Sequence, residues 1–288
     1  MEFIHVTSNN REQTLLRTKP CVVALGFFDG VHLGHQQVIK EAKSAAEEQE
    51  LPLVIMSFFP HPKEVLSNGE KIIPYLMPMN DKRRIFEKLG ADYFYLIEFT
   101  KEFAALSPRE FVQTYLLGFG AKQVVAGFDF TYGHSGEGNM DTLKSDSDGK
   151  IEGIKVDKIE WEGEKISSTL IRHLVLAGEM ERIASYLGND YQSEGRIVFR
   201  KKHTEVLLQP HYLLPPPGWY EVTVNLHPET TTHIAVVHDG RITLLQGQGF
   251  PYYEWENVRL SWKRVLPKKF VHEEVPRQVF FSSSLVGL

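Results

Sequence analysis

The sequence predicts an α/β domain, a parallel sheet with helices on both faces, followed by a small all-β barrel domain. Three observations carry this reading. Over the first two-thirds of the chain, apolar runs of strand length alternate with amphipathic stretches of helix length. Helical patterning then stops at Leu187, where Gly188-Asn189-Asp190 interrupts it. Beyond that point only short β-like runs between turn signals remain. Two domains are therefore expected, residues 1–187 and residues 188–288.

Each element has its own signal. Cys21-Val22-Val23-Ala24-Leu25 is an apolar run of buried-strand type. From His35 to Glu50, Val38, Ile39, Ala42, Ala45 and Ala46 mark one face of a helix. Leu53–Phe59 reads as a strand, and Asp81–Leu89 as a helix with Ile85 and Leu89 on its apolar face. Tyr93–Phe99 is a strand, and Ser107-Pro108 opens a helix with serine at the cap and proline in the first turn. Gln123–Ala126 is a short strand ending in Gly127. Helices over Ser168–Ala177 and Met180–Leu187 close the series. The β-like runs that follow are Gly195–Phe199, Glu205–Leu208, Trp219–Asn225, His233–Val237, Arg241–Leu245 and Val258–Val265. Pro215-Pro216-Pro217-Gly218 and Asp239-Gly240 punctuate them, the latter as a hairpin turn. In a parallel sheet of this kind, ligands bind at the carboxyl ends of the strands.

Composition narrows the function classes. An apolar content of 42% with 24% charged residues describes an ordinary globular protein. The net charge of −5 provides no basic excess for a nucleic-acid partner. The single cysteine, Cys21, excludes an internal disulfide and any thiolate metal site, and its apolar strand makes it a packing residue. No stretch approaches a membrane span, and Met1-Glu2-Phe3-Ile4-His5 lacks the basic start of a secretion signal. A cytoplasmic location is the expectation, and oligomeric state is left open.

The chemistry concentrates at strand-to-helix junctions. Gly26-Phe27-Phe28-Asp29-Gly30-Val31-His32-Leu33-Gly34-His35 joins the first strand to its helix. Its histidines fall three residues apart at a helix N-terminus, where free N–H groups and the helix dipole favour an anion. Gly34 leaves room for a phosphate, and Gly26 and Gly30 permit sharp turns. Two imidazoles can donate hydrogen bonds to a phosphate without permanent charge. A pair of surface histidines with no function is the alternative, and the glycine frame argues against it. A second element, Ile166-Ser167-Ser168-Thr169-Leu170-Ile171-Arg172, opens a helix with Ser167 or Ser168 as cap. Arg172 lies one turn beyond the hydroxyls, so hydroxyls, amides and guanidinium could clamp a polyphosphate; a plain cap is the alternative. The third, Gly127-Phe128-Asp129-Phe130-Thr131-Tyr132-Gly133, offers aromatic rings beside a carboxylate, suited to a planar heterocycle or to simple strand-edge packing. The fourth, Ser57-Phe58-Phe59-Pro60-His61-Pro62, is a proline-stiffened loop after the second strand. A divalent metal would ride on a nucleotide's phosphates.

In this order the four elements resemble the bacterial FAD synthetase family, the bifunctional riboflavin kinase/FMN adenylyltransferases, over roughly residues 15–187. The resemblance implies a Rossmann-like nucleotidyltransferase domain that transfers AMP from ATP to FMN with Mg²⁺ carried on ATP. It implies that His32, His35 and Arg172 are catalytic, with both histidines on the ATP phosphates. Ser168, Thr169 and Arg172 would hold the triphosphate, and Gly26, Phe27, Asp29 and Gly30 would shape the adenine-nucleotide side. On the FMN side it points to His61, Pro62 and Asp129, with Phe111 and Tyr132 as ring-packing candidates. Thr131 stands where the family often has arginine.

The second domain departs from the pattern. Gly195-Arg196-Ile197-Val198 and Tyr212-Leu213-Leu214-Pro215 are similar to the frame of the family's kinase barrel. Between them, Phe199–Pro210 lacks the Pro-Thr-Ala-Asn run, and Asp239–Gln248 lacks the later acidic stretch. A degenerate riboflavin-kinase-like barrel is expected, leaving adenylyl transfer alone. Three alternatives stand beside this: retained kinase activity, transfer to another phosphate ester, or a non-catalytic flavin sensor.

Overall fold

The structure, a computed structural model, describes residues 1–200, 203–209, 212–226, 229–245 and 255–267. Lys201, Lys202 and Pro210 of the Phe199–Pro210 stretch, Gln246–Gln248 and the tail after Phe270 lie outside the described residues. By density of contacts the chain divides into two units. The first comprises Met1–Ile73 and Pro78–Ile166, and the second Pro74–Met77 with the described residues from Ser167 on. The division falls ahead of the expected 187/188 boundary, grouping the two helices of Ser168–Leu187 with the barrel.

The first unit runs β1 (Glu2–Val6), α1 (Arg11–Leu15), β2 (Cys21–Leu25), α2 (Leu33–Glu48), β3 (Leu53–Phe59), α3 (Pro62–Leu66), α4 (Met79–Lys88) and β4 (Tyr93–Glu98). It continues with α5 (Lys101–Ala104), α6 (Pro108–Phe111), a π-helical turn over Val112–Leu117, and β5 (Ala121–Gly127). The hairpin β6 (Thr131–Tyr132) with β7 (Gly138–Asn139), α7 (Leu143–Asp146), β8 (Glu152–Val156) and the hairpin β9 (Glu160–Trp161) with β10 (Glu164–Lys165) complete it. Six strands form one parallel sheet in the order β1-β4-β3-β2-β5-β8.

Strand alternation explains the two covered faces. Val23, Leu25, Met56, Tyr95 and Val124 join Phe111, Leu116 and Phe119 in one core. Residues of opposite parity meet the other layer, where α2 packs on β2 and β5 and the Phe86 ring of α4 lies 4.9 Å from Phe94. The α2 face is as predicted: its buried residues are Val38, Ile39, Ala42, Ala45 and Ala46.

One expectation needs correction, and two strands go beyond the sequence reading. On α4 the buried residues are Asp81, Lys82 and Phe86, whereas Ile85 and Leu89 are only half-buried. Tertiary contacts set that rotation, because Phe86 sits between Phe28 and Phe94. The edge strands β1 and β8 gave no strand signal. An edge strand buries few side chains, and β8 buries none fully.

The second unit holds α8 (Ser168–Ala177), α9 (Met180–Leu187) and six strands: β11 (Tyr191–Arg200), β12 (His203–Leu208), β13 (Gly218–Leu226), β14 (Glu229–His238), β15 (Arg241–Leu245) and β16 (Asn257–Leu266). These close into a barrel in the order β11-β12-β15-β14-β13-β16. Helix α9 packs on β16 and β11, which is why it groups with the barrel. Pro74–Met77 is held in the same unit by a bridge between Tyr75 and Tyr212. Asp239 and Gly240 both adopt positive φ, 51° and 70°, as the tight β14–β15 turn requires. Inside the barrel, Trp262 is fully buried and donates from Nε1 to Ser193 Oγ at 2.9 Å, with Tyr220 edge-on to its ring.

Candidate active site

Topology alone selects the site. From β2 the sheet grows one way through β3 and β4 and the other way through β5 and β8. Such a reversal opens a crevice at the carboxyl ends of the strands beside it. Three of the four sequence motifs leave those ends: Gly26–His35 after β2, Pro60–Pro62 after β3 and Phe128–Gly133 after β5.

The loop after β2 is held under strain. Phe28 and Val31 have φ of 53° and 41°, both buried, and Gly30 has φ of 79°. A β-branched residue in this region is unusual and marks a conformation enforced by its surroundings. Gly26 permits the fold of the loop, since a Cβ there would sit 2.9 Å from the Phe28 ring. That ring in turn meets His35 edge-on at 5.3 Å.

His32 is the N-cap of α2, a position the sequence pattern placed just outside the helix. Its Nδ1 accepts from the His35 backbone N–H at 3.2 Å, so the neutral ring carries its proton on Nε2. The imidazoles of His32 and His35 stack at 3.6 Å with 17° between planes. Burial holds His32 down to about pKa 4, the Asp129 carboxylate opposing the shift and Lys165 adding to it. Burial, then His32 and Lys82, push His35 well below the ordinary imidazole value. His35 Nδ1 is also buried with no hydrogen-bond partner. Two neutral rings at a helix N-terminus can therefore donate to an anion with no cation of their own. Gly34 keeps them in place, because a Cβ there would press to 3.2 Å on the His32 ring.

This coupling predicts an acid sensitivity. The folded pKa of His32 lies below its unfolded value, so neutral His32 stabilises the fold fully only above pH 6.5. That contribution is lost as pH falls from 6.5 to about 4. The lost stability is about 3 kcal/mol at 1.4 kcal/mol per unit. His32→Asn keeps a capping oxygen and removes the titration. Urea midpoints at pH 7 and pH 4.5 are expected to differ more in the wild type than in this variant, and equal differences would contradict the account.

Around the pair, Phe27 links two motifs. Its carbonyl accepts from Ser57 Oγ at 2.9 Å and from Lys82 Nζ at 3.1 Å, and its ring meets His61 at 4.6 Å. His61 caps α3 through Nδ1, accepting from Lys63 N–H, with Pro62 at the first helical position. Asp29 is buried in the turn before α2. From the loop after β5, the exposed Asp129 pairs with Lys165 at 2.5 Å, and Lys165 Nζ lies 4.5 Å from the Phe128 ring centre.

Phe111 and Tyr132, expected as ring-packing residues for a flavin, are core residues. Their rings lie 5.2 Å apart, both are buried, and the Tyr132 hydroxyl donates to Asp146 at 2.7 Å. They buttress the Phe128–Gly133 loop from within. In the second unit Ser167, not Ser168, is the cap of α8, accepting from Leu170 N–H at 3.2 Å. Ser168 and Thr169 open the helix, and Arg172 Nη1 donates to the Pro74 carbonyl. Two residues escaped the sequence reading. Lys165 stands beside the Ile166–Arg172 motif and could have been included with it. Lys82 sits in a run of charged residues with no sign that it is buried.

A parallel sheet carrying paired neutral histidines at a helix N-terminus, on the switch-point loop, has the form of a nucleotide- or phosphate-binding α/β enzyme. Comparison with known proteins narrows this. The FAD synthetase family profile matches residues 15–170. A bifunctional riboflavin kinase/FMN adenylyltransferase from Listeria monocytogenes is 42% identical over 224 residues, 75% of this chain and 71% of the relative. One from Bacillus subtilis is 38% identical over 80% of this chain and 75% of the relative. An FAD synthetase from L. monocytogenes is 31% identical over 77% and 87% of the two chains. A crystal structure described as a macrolide-efflux protein from Streptococcus pneumoniae matches with a TM-score of 0.81 and 31% identity, covering 92% of this chain and 100% of that one. The chain belongs to the FAD synthetase family. Among the described residues, no helix is long and apolar enough to cross a membrane.

Proposed function

We propose that this chain transfers AMP from ATP to FMN, releasing FAD and pyrophosphate, and that it has no riboflavin kinase activity. The stacked His32–His35 pair is the observation that carries the first part. An FMN phosphate oxygen attacks the α-phosphorus of ATP and forms the new P–O bond. The bond to the bridging oxygen breaks, and pyrophosphate leaves with the electron pair. No covalent enzyme intermediate is needed, so the protein's work is positioning and charge stabilisation. His32 Nε2–H donates to the oxygens on which charge grows, and His35 stands beside it as second donor. On the resemblance, Ser168, Thr169 and Arg172 are assigned to the triphosphate, Gly26, Phe27, Asp29 and Gly30 to the adenine-nucleotide side, and His61, Pro62 and Asp129 to FMN.

Mg²⁺ is expected to enter on the ATP phosphates, whose charge it neutralises. Among the described residues no three His, Cys, Asp or Glu side chains gather as ligands, so no protein residue is assigned to it. A cytoplasmic enzyme acting on small molecules is the reading carried forward, and the net charge of −5 gives no basic excess for a nucleic-acid partner.

Loss of the kinase rests on the β11–β12 region. Bifunctional members carry their Pro-Thr-Ala-Asn run there. In this chain the two strands pair directly, Arg200 opposite His203. The buried Glu205 of β12 is occupied on both oxygens, by His203 at 3.0 Å and Arg200 at 3.1 Å. That carboxylate is engaged by two side chains of its own hairpin. The test is incubation of purified protein with ATP and Mg²⁺, adding FMN in one tube and riboflavin in another. FAD is expected from FMN, and no FMN from riboflavin. An absence of FAD in the first tube would overturn the main reading, and FMN in the second would overturn the loss of kinase.

A further inference from the structure

We propose that Lys82 is a positioning residue for adenylyl transfer: its buried ammonium holds the Phe27 carbonyl and so fixes the loop after β2 against the loop after β3. The inference rests on the adenylyl-transfer reading, to which it adds a residue.

The geometry argues for more than packing. Lys82 is 2% exposed, an unusual state for a lysine, and it faces the crevice loops from the start of α4. Its Nζ donates to the Phe27 carbonyl at 3.1 Å and lies 4.8 Å from the centre of the Phe27 ring. Both contacts favour the charged amine. Phe27 also receives Ser57 Oγ and touches His61, so one ammonium ties the loop after β2 to the loop after β3. A burial cost of this kind persists where a cation is needed in a low-dielectric place.

Electrostatics support the placement. Burial is the main cause that lowers the His35 pKa, followed by His32 at the start of α2 and then Lys82 from α4. Lys82 thus opposes protonation of His35 from a different element of the fold. A neutral His35 keeps the stacked arrangement with His32, which two imidazolium ions would disrupt.

The test separates charge from hydrogen bonding. In nucleotide-free ¹⁵N-labelled protein, the imidazole titrations of His32 and His35 are followed by two-bond ¹H–¹⁵N correlation in the wild type, K82R, K82Q and K82M. His35 is expected to titrate at higher pH in K82Q and K82M, and as in the wild type in K82R. In the same variants kcat for FAD formation is expected to fall about tenfold or more, with its acid limb moved upward and KM for ATP changed less. K82R should restore most of kcat. A folded K82Q or K82M whose kcat for FAD formation stays near that of the wild type overturns the inference. Should both variants fail to fold, the wild type still decides: the Lys82 Cε resonance must report a protonated amine from pH 6 to 9, and a neutral Lys82 in that range overturns it. Absence of FAD synthesis by the wild type would instead overturn the underlying reading, while the NMR result stood on its own.

Discussion

Replacing His32 with alanine is expected to lower kcat for FAD formation by about 10²- to 10³-fold, the usual cost of removing one transition-state donor from a preorganised site. The substitution does two things at once. It removes the Nε2–H donor, and it removes the Nδ1 acceptor that caps α2 at the His35 backbone N–H. Loss of a cap alone costs about 0.5–2 kcal/mol of stability. His32→Asn separates the two, because an asparagine oxygen can cap the helix without restoring the imidazole donor. The expected pattern is a kcat that stays low in both variants, with a urea midpoint that recovers in His32→Asn. Steady-state FAD formation and equilibrium unfolding, measured on the same preparations, check it. Near wild-type turnover in either variant would remove His32 from the chemistry.

The second large effect lies in the barrel. Trp262→Ala is expected to destabilise the second unit by about 3–5 kcal/mol, the range for truncating a large buried aromatic. Trp262 is fully buried, its ring meets Tyr220 at 5.5 Å, and its Nε1 satisfies the equally buried Ser193 hydroxyl. Removing it opens a cavity and leaves Ser193 Oγ without that partner. Trp262→Phe fills most of the space and loses only the polar contact, at about 1–3 kcal/mol. Hydrogen exchange in β11, β13 and β16 is the measurement, since it reports each strand separately. Protection in those strands should fall in the order wild type, Trp262→Phe, Trp262→Ala. Unchanged protection in Trp262→Ala would mean that the barrel draws its stability from elsewhere.

Sequence patterns carried far in this protein where the signal is local. The apolar run at Cys21–Leu25 and the periodicity of Val38, Ile39, Ala42, Ala45 and Ala46 identify a buried strand and the inward face of its helix, as the structure has them. Ser107-Pro108 marks a helix start that forms a full capping box with Glu110. Asp239-Gly240 marks a hairpin, because that turn needs two positive φ angles. The edge strands β1 and β8 fell below notice for the converse reason: half-exposed strands lack the apolar run that betrays a buried one.

The site was legible only as a set of separate motifs. That His32, Gly34 and His35 crown a helix follows from their spacing beside a strand. Three things depended on the tertiary structure: the capping contact of His32, the burial that holds both rings neutral, and the lysines from α4 and β10 that act on them. Asp81–Leu89 shows the difference most plainly. Its composition suggests an inward face of Ile85 and Leu89, whereas the fold turns Lys82 and Phe86 inward. Periodicity reports which residues can share a helix face, but not which face meets the core. Phe86 packs between Phe28 and Phe94, whose positions are set by β4 and the strained loop after β2. By itself, then, the sequence determined the strand–helix order, the phosphate-directed histidine motif and the change to an all-β second unit, since each rests on local pattern. Only the tertiary structure decided the strand order that brings three motif loops to one crevice, and the buried charges around His35. Burial and electrostatics depend on neighbours that are distant in the chain.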